Sequence, residues 1–422
     1  MTTTKPVIAI VGAGISGLTC AWLLRQQFDV HLFEANDYVG GHTQTTDIEM
    51  NGKSWPINTG FIVYNDWTYP NFIKLMTQLD VQTEASDMSF SVKCEHSGME
   101  YNGQNLNSLF AKRSNLLNPK FWRMVQEILR FNRDSRAQLD ANSLNSRQTL
   151  GQYLTCHGYS DYFRRYYIIP MGAAIWSASE AMMMDFPVRF FLTFFNNHGL
   201  LSVNERPQWR VVSGGSRSYV GKILAALPAQ NIHINSAITT IERDAEGVSL
   251  TLANQTFRAD QVILACHSDQ ALALLAQPSA TEQHILQAIP YQNNDVVLHT
   301  DIGLLPQRRH AWASWNYHLD SEQRNTVAVT YYMNRLQNFT DAPEHFCVTL
   351  NKTDAIDPAK ILRRFQYAHP VFTLDGMAAQ QRHHEISGAN HTHFCGAYWF
   401  NGFHEDGVNS ALRVCKALGV SF

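Results

Sequence analysis

The pattern of apolar and polar residues at the start of the chain predicts a strand, a turn, a helix and a second strand. Residues 7–11 read VIAIV, a continuous apolar run that suits a strand buried on both faces of a parallel sheet. The following ISGLTCAWLLRQQ places apolar side chains at Ile15, Leu18 and Trp22, as a helix does, and residues 30–33 form the next apolar run. This order is typical of the first unit of a doubly wound α/β fold.

The middle of the chain mixes helical and strand patterns. Residues 88–103 predict a hairpin with its turn at 96–98, and a helix is predicted to begin near Pro119. Residues 295–301 alternate between apolar and polar side chains, and HAWASWNYH and NTVAVTYYMNRLQ predict two successive strands.

Residues 161–201 are helical in pattern and unusually aromatic. Asp185 is a suitable N-cap for the helix within DFPVRFFLTFF, and Pro187 fits its first turn. Its five phenylalanines cover more than one helical face: Phe186, Phe190, Phe191, Phe194 and Phe195. The pattern favours a buried core helix. It also fits a lining for a long apolar ligand, or a patch that enters a membrane while nearby arginines meet anionic head groups.

Composition narrows the class of protein. A chain of 422 residues is expected to hold two domains or one large α/β body, and 45% hydrophobic with 16% charged residues is ordinary for a globular protein. The net charge of −3 gives no basis for nucleic-acid binding. Seven cysteines without paired spacing predict reduced thiols and a cytoplasmic protein. The N-terminal apolar run lacks the pattern of a signal peptide, and no run of about 18 apolar residues predicts a membrane span.

A glycine motif follows the first predicted strand at once. The motif GAGISG supplies five candidate cofactor contacts: Gly12, Gly14, Ile15, Ser16 and Gly17. Its glycines allow a tight turn, close approach of a pyrophosphate and packing of helix on strand, while the helix start offers free N–H groups. Glu34 lies 17 residues past Gly17, near the spacing expected for an acid that binds a ribose hydroxyl. The motif predicts a dinucleotide site, and the charge of Glu34 disfavours NADP.

The residues after Glu34 distinguish FAD from NAD. The chain reads ANDYVGGHTQT, with a double glycine where an NAD dehydrogenase normally enters another helix. This double glycine and WPINTGFIVYN at 55–65 resemble the FAD-binding amine oxidase and phytoene desaturase superfamily, in which these segments pass beside the pyrophosphate and the flavin ring. The resemblance implies cofactor contacts at Ala35, Gly40, Gly41, His42, Thr43, Asn58, Thr59, Gly60 and Phe61.

Further segments resemble the same family. QWRVVSGGSRSYVGKIL and QVILACHSDQAL resemble its return into the FAD domain and its closing strand, and NIHINSAITTIER places Ile238 where the family has an aliphatic residue against adenine. HFCGAYWFNGFHEDGVNSALRVCKALG resembles the C-terminal FAD signature, which implies contacts at Gly396, Asp406, Gly407 and Val408. We expect Asp406 to cap the last helix and Gly407 to let N–H groups approach the flavin. The roles of His404 and Glu405 stay open.

A narrower resemblance concerns GGHT, GGSRSYV and GFHEDG, which mark a bacterial subgroup of FAD-binding proteins associated with cyclopropane and methyl-branched fatty acids. It implies an apolar lipid or fatty acyl substrate.

Two departures from covalent amine oxidases matter. Cys395 lies inside the last strand and not at their flavin attachment position, so we predict non-covalent FAD. The lysine that contacts the flavin through water in many amine oxidases has no identifiable counterpart, which weakens an amine oxidase interpretation.

The strands near residues 310–332 suggest a wall that faces the flavin. Its members are Trp312, Trp315, Tyr317, Tyr331 and Tyr332. An ordinary half-buried sheet fits these aromatic residues equally.

Rival chemistries fit less well. HTH at 391–393 places two imidazoles on one strand face, but no HExxH spacing is present, so no metal is expected. Ser16 lies inside the phosphate loop and not in a GxSxG turn, which argues against a serine hydrolase. A carrier or assembly protein that binds FAD without catalysis stays open, because glycine motifs indicate binding and not turnover.

We predict an FAD-dependent oxidoreductase with a Rossmann-like FAD-binding domain (1–85, 205–270, 385–422) and an inserted, discontinuous α+β substrate domain (86–204, 271–384). The predicted reaction transfers hydride from a substrate C–H bond to flavin N5, with an apolar lipid or acyl chain as substrate and a primary or secondary amine as the alternative. The sequence assigns no catalytic base and no oligomeric state. Peripheral contact with a membrane is an open expectation.

Overall fold

A parallel five-stranded sheet lies at the centre of the first structural unit. The computed structural model describes residues 5–145, 147–319 and 328–422. The sheet has the order β10–β2–β1–β14–β20, with β1 (Val7–Val11), β2 (Asp29–Phe33), β10 (Ile232–His233), β14 (Gln261–Leu264) and β20 (Thr392–Phe394). Ile8, Ala9 and Ile10 are fully buried. The predicted first strand is therefore confirmed, with both faces covered.

Helices cover one face of this sheet and a small sheet with further helices covers the other. The first layer contains α1 (Ile15–Leu24), α2 (Pro70–Gln78), α10 (Arg217–Ala225) and α15 (His404–Ala417). The second contains antiparallel β11 (Thr240–Asp244), β12 (Gly247–Thr251) and β13 (Thr256–Ala259), with α11 (Ser268–Leu274), α12 (Ala280–Gln287) and α14 (Leu374–Gln381). Alternate residues of β1 face the two layers, since Ile8 joins one core and Ala9 the other. The predicted α/β fold class is confirmed.

A seven-stranded mixed sheet forms the second unit. Its order is β19–β15–β18–β17–β16–β7–β8, with β7 (Phe90–Cys94), β8 (Met99–Asn102), β15 (Tyr291–His299), β16 (Trp315–Leu319), β17 (Ala328–Tyr332), β18 (Cys347–Leu350) and β19 (Ile361–Pro370). The predicted hairpin of 88–103 is confirmed as the antiparallel pair β7–β8. The start of the predicted strand NTVAVTYY lies outside the described residues.

Helices pack on this sheet and form the largest core with it. They are α3 (Leu106–Leu109), α4 (Pro119–Asp140), α5 (Leu150–Cys156), α6 (Asp161–Phe163), α7 (Ile169–Trp176), α8 (Glu180–Met184), α9 (Val188–Asn197) and α13 (Met333–Leu336). A π-helical turn, Arg164–Ile168, joins α6 to α7.

Short antiparallel ribbons connect the two sheets. They are β3 (Thr45–Met50) with β4 (Lys53–Asn58), and β5 (Tyr64–Asn65), β6 (Thr83–Ser86) and β9 (Trp209–Val212). The residue boundaries of the two predicted domains stay a prediction.

The aromatic helix is part of the core. Phe191, Phe194 and Phe195 are buried, and Phe190 is half-buried. The predicted cap is wrong, because Asp185 is the C-cap residue of α8, and α9 begins only after the extended Pro187. Because most of these phenylalanines are packed in the core, the helix does not support the expected contact with a membrane. Peripheral membrane contact stays a prediction.

Two further strand predictions differ from the structure. NIHINSAITTIER is not one strand, because the chain leaves the sheet after β10, and Asn235 adopts φ +50° and donates its N–H to the Asn36 carbonyl at 2.9 Å. The prediction that these aromatic residues form one wall is also wrong. Tyr317 and Tyr331 belong to the large core, whereas Tyr332 lies on the opposite face of its strand.

Candidate functional site

The glycine loop leaves open space above the start of α1. A Cβ at Gly14 would meet no atom within 4 Å, whereas a Cβ at Gly17 would lie 2.0 Å from the carbonyl oxygen of Gly12. Gly12 has φ +102°, which favours glycine. Ile15 and Ser16 form the first turn of the helix and are buried. Gly14 therefore borders the space for a ligand, while Gly17 allows helix and loop to pack together.

Glu34 ties this loop to the end of β2. Its carboxylate accepts hydrogen bonds from the N–H of Ala13 at 3.0 Å and from the backbone N–H and side-chain amide of Asn36 at 3.0 and 2.9 Å. Ala35 beside it is exposed, and Ile238 packs in the core next to the same strand end. The acid thus lies beside the glycine loop, as the dinucleotide motif predicts.

The double glycine covers the glycine loop. Gly40 and Gly41 adopt φ +136° and +58°, and the N–H of Gly40 donates to the Ala13 carbonyl at 3.0 Å. A Cβ at Gly41 would lie 3.2 Å from the Cα of Gly14. Only small residues with this backbone freedom permit the approach.

The predicted flavin segment 58–61 is anchored by its polar side chains. The Asn58 side-chain oxygen accepts hydrogen bonds from the N–H and hydroxyl of Ser216 at 2.9 and 3.1 Å, and the Thr59 hydroxyl lies 3.1 Å from the Tyr367 hydroxyl. A Cβ at Gly60 would lie 2.2 Å from the carbonyl oxygen of His42, so this position requires glycine. The structure brings the two predicted contact segments, 40–43 and 58–61, together.

His404 joins these segments to the last helix. Its Nε2 lies 2.9 Å from the Thr43 hydroxyl and 3.2 Å from the Tyr219 hydroxyl, and its ring stacks on Phe61 with centroids 3.5 Å apart. Burial lowers the pKa of His404 to about 3, so the imidazole is neutral. This residue therefore positions the loop and does not face solvent.

The last helix begins earlier than predicted. Helix α15 starts at His404, because Phe403 is extended, and the Gly407 N–H is already bonded to the Phe403 carbonyl at 3.0 Å. Gly407 is instead a packing position, since a Cβ there would lie 2.6 Å from Cγ2 of Ile15. Val408 is fully buried in the core. The free N–H groups of the first turn therefore belong to residues 404–406 and not to Gly407 and Val408.

Two acids in the first turn of α15 bind backbone N–H groups. Asp406 does not sit at the N-cap position, but its carboxylate accepts the Phe403 N–H at 2.9 Å. Glu405 accepts the N–H groups of Asn71 and Phe72, at 3.0 and 2.7 Å, at the start of α2. Burial raises the pKa of the Glu405 carboxyl and raises that of Asp406 to about 7. Both side chains hold helix ends in place.

The raised pKa of Asp406 predicts a pH-dependent stability. The folded state binds this proton more tightly than the unfolded state, so the contribution is complete below about pH 4 and is lost as the pH rises through about 7. We expect Asp406→Asn to gain about 2 kcal/mol in free energy of unfolding relative to wild type between about pH 5 and pH 8. Chemical denaturation at both pH values measures the difference. Asp375→Asn, in the first turn of α14 and exposed, is the matched control. Parallel pH curves for Asp406→Asn and wild type would contradict the assignment.

Gly396 and Cys395 close the site from the side of β20. The Gly396 N–H donates to the Ser410 hydroxyl at 3.0 Å, which joins the strand end to α15. Cys395 is fully buried, with its Sγ 4.0 Å from that of Cys20 in α1. The thiol therefore packs between core elements, in keeping with the predicted non-covalent cofactor.

The residues around the glycine loop fit FAD. Gly14 leaves space at the helix N-terminus, where N–H groups and the helix dipole favour phosphates. In the described part of the chain, His42 Nε2 and Asn58 Nδ2 are buried without hydrogen-bond partners, so each has a donor or acceptor to offer a ligand. The arrangement can hold a dinucleotide between the loop, the double glycine and segment 58–61.

An inner cavity lies next to this cofactor site. Its lining consists of Trp176, Ser177, Ala178, Met182, Phe186, Gln292, His369, Pro370, Val371 and Phe372. The ring of His369 is 5.3 Å from that of His42, which follows the double glycine. Side chains nearly close the cavity, which has room for about one water molecule.

A chain of amides orients His369. Asn351 accepts the N–H of Asp295 and donates its side-chain N–H to the Asn294 oxygen at 2.9 Å. The Asn294 amide therefore faces His369 Nδ1 with its N–H, at 3.1 Å, and the Ser177 hydroxyl also lies 3.1 Å from Nδ1. Burial, with His267 nearby, lowers the pKa of His369 to about 4. The neutral ring thus carries its proton on Nε2 and acts as a donor.

Sequence reasoning missed several of these residues. His369 and Tyr367 lie on β19, in RRFQYAHP, which carries no motif. Tyr219 lies within GGSRSYV, whose resemblance to the family implies no contact for this tyrosine. Their roles arise from contacts between distant segments.

Neither a metal-binding cluster nor a membrane-spanning helix is present among the described residues. No group of three or more His, Cys, Asp and Glu side chains in these ranges is placed to hold a metal ion. None of the described helices combines the length and apolar character needed to cross a membrane.

Comparison with known proteins gives one family match and many structural ones. The family model described as flavin containing amine oxidoreductase matches residues 15–306, more than half of the chain. No curated protein matches. Cyclohexylamine oxidase from Brevibacterium oxydans IH-35A is similar in fold, with 16% identity, a TM-score of 0.69, and 98% of this chain and 100% of that chain covered. A CLA-producing fatty acid isomerase from P. acnes has 14% identity, a TM-score of 0.71 and 99% of both chains covered.

Proposed function

The chain belongs to the flavin-containing amine oxidoreductase family, and we propose that its substrate is an apolar lipid or fatty acyl chain. The family makes it an FAD-dependent oxidoreductase, so the interpretation as a non-catalytic carrier is set aside. Bound FAD supplies a hydride acceptor for oxidation of a C–H bond. The identity of the substrate depends on which C–H bond the protein places beside the cofactor.

The lining of the inner cavity carries the proposal. Among the described residues that line it, none is Asp, Glu, Lys or Arg, and the walls are made by Trp176, Met182, Phe186 and Phe372. An ammonium group buried there would lose its hydration without a carboxylate partner, which is costly. An acyl chain, for which the side chains that nearly close the cavity must move apart, gains free energy from leaving water in the same place.

The polar side chains have a limited role in this proposal. The Nδ1 of His369 already accepts hydrogen bonds and its Nε2 carries the proton, so His369 does not remove a proton from the substrate. The aromatic walls exclude water from the reacting carbon. Desaturation of neighbouring CH₂ groups transfers one hydride and releases one proton, and we assign no residue as the base.

The sequence also agrees with an acyl substrate. The subgroup resemblance of GGHT, GGSRSYV and GFHEDG suggests fatty acid modification.

Anaerobic titration of the flavin tests the proposal. We expect long-chain fatty acids or their esters to bleach the visible band of the oxidised flavin, while a panel of primary and secondary amines leaves it unchanged. An amine oxidase of the same fold is the matched positive control for the amine panel. Bleaching by amines alone would overturn the acyl assignment in favour of amine oxidation.

A further inference from the structure

A groove on the surface lies next to the inner cavity and has a different character. The outer groove, about 440 Å³, is lined by Phe190, Met377, Gln380, Trp399, Phe400 and Arg413, with neighbouring polar residues at its rim. This volume is within the range of small-molecule sites. Its walls therefore combine aromatic and aliphatic surface with a cation.

Arg413 has no acidic partner in the groove. The half-buried guanidinium lies over the Phe400 ring, 4.5 Å from its centroid, and makes no hydrogen bond or ion pair with any described residue. The nearby acid Glu385 is engaged by Arg382 through two contacts of 2.8 Å. Asp406 is engaged by Phe403 and Asn401. Arg413 is thus available to an anion from outside the chain.

His383 in the same wall does not add charge. Its ring lies against that of the buried Trp399, and burial lowers the pKa of His383 to about 4. A cation on an apolar wall suits a ligand with an anionic end and an apolar body.

Two phenylalanines separate the groove from the inner cavity. Phe190 lines the groove, Phe372 lines the cavity, and their rings stack with centroids 5.1 Å apart. Gly402 lies against Phe372, where a Cβ would be 3.1 Å from the ring. The two stacked rings therefore lie between the groove and the cavity.

We propose that the outer groove binds the carboxylate of a free fatty acid at Arg413 and directs its chain past Phe190 and Phe372 into the inner cavity. This assignment rests on the proposed function for the identity of the chain. To that function it adds the chemical class of the lipid head group, the residue that recognises the head group and the route by which the chain reaches the cavity. A carboxylate forms charge-assisted hydrogen bonds with the guanidinium, while the methylene groups cover the aromatic walls.

Binding of oleate and oleyl alcohol tests the assignment by calorimetry on the flavin-loaded protein. We expect Arg413→Gln to raise the Kd of oleate about 10- to 100-fold and to leave that of oleyl alcohol unchanged. Arg382→Gln is the matched control, because it removes a nearby cation that is paired with Glu385 and should bind oleate like wild type. Phe190→Ala should raise the association rate of oleate, because it removes one of the two rings between the outer groove and the inner cavity. Retained flavin content confirms that each variant is folded.

Three outcomes would overturn the assignment. These are an unchanged oleate Kd in Arg413→Gln, equal weakening of oleate and oleyl alcohol, and tighter binding of a lysophosphatidate than of oleate, which would assign a phosphate head group. The proposed function fails separately, because Arg413-dependent binding of oleate without any flavin bleaching would contradict acyl oxidation and leave the groove assignment intact.

Discussion

Substitution of Gly14 by glutamate is expected to leave a folded protein that retains no more than about a tenth of the wild-type flavin. A Cβ at Gly14 would meet no protein atom within 4 Å, so we expect the fold to tolerate a side chain there. The same side chain fills the space beside the helix N-terminus and brings a carboxylate against the phosphates. The loss is therefore of ligand binding and not of structure.

The ratio of flavin to protein absorbance after purification and reconstitution measures this effect. Gly221→Glu is the matched control, since Gly221 is an exposed glycine of α10 whose Cβ would also meet no atom within 4 Å. It should retain wild-type flavin. A Gly14→Glu protein with full flavin content would show that the cofactor does not lie on this loop.

Substitution of Gly17 by alanine is expected to lower the stability of the fold, whereas substitution at Gly14 affects ligand binding. Its Cβ would lie 2.0 Å from the Gly12 carbonyl oxygen and 3.2 Å from the Ala265 Cβ, so the helix must move away from the sheet. We expect a loss of about 3 kcal/mol or more in the free energy of unfolding. Gly14→Ala, three residues earlier in the same motif, should stay close to wild type in stability.

Chemical denaturation of the two alanine variants measures the difference. A single methyl group is added in each case, at the N-cap Gly14 and inside α1 at Gly17, so the two variants have the same composition. Equal midpoints for Gly14→Ala and Gly17→Ala would contradict the distinction between a ligand glycine and a packing glycine.

The parts of the site that depend on local backbone geometry could be predicted from the sequence. The apolar run of β1, the glycine turn and Glu34 are neighbours in sequence and in space, and only a few residue types satisfy their steric requirements. The double glycine belongs to the same class, because its positive φ angles and close packing exclude other residues.

The parts that depend on distant contacts could not be predicted. HEDG suggested a helix that begins near Asp406, but the start at His404 is fixed by burial of His404 against Phe61 and of Glu405 against α2. Periodicity locates a helix more reliably than its first residue. His369 and Arg413 gain their surroundings only when separate segments pack together. His369 lies in no motif, and the resemblance to the C-terminal FAD signature implies no role for Arg413.

We propose that this chain holds FAD beside an apolar cavity and oxidises an acyl chain there. The most direct measurement is the anaerobic visible spectrum of the purified wild-type protein before and after addition of a long-chain fatty acid. We predict an oxidised flavin band that denaturation releases into solution, as non-covalent binding requires, and that the fatty acid bleaches in the native protein. A colourless protein that takes up no FAD on reconstitution, or a flavin band that only amines bleach, would contradict the claim.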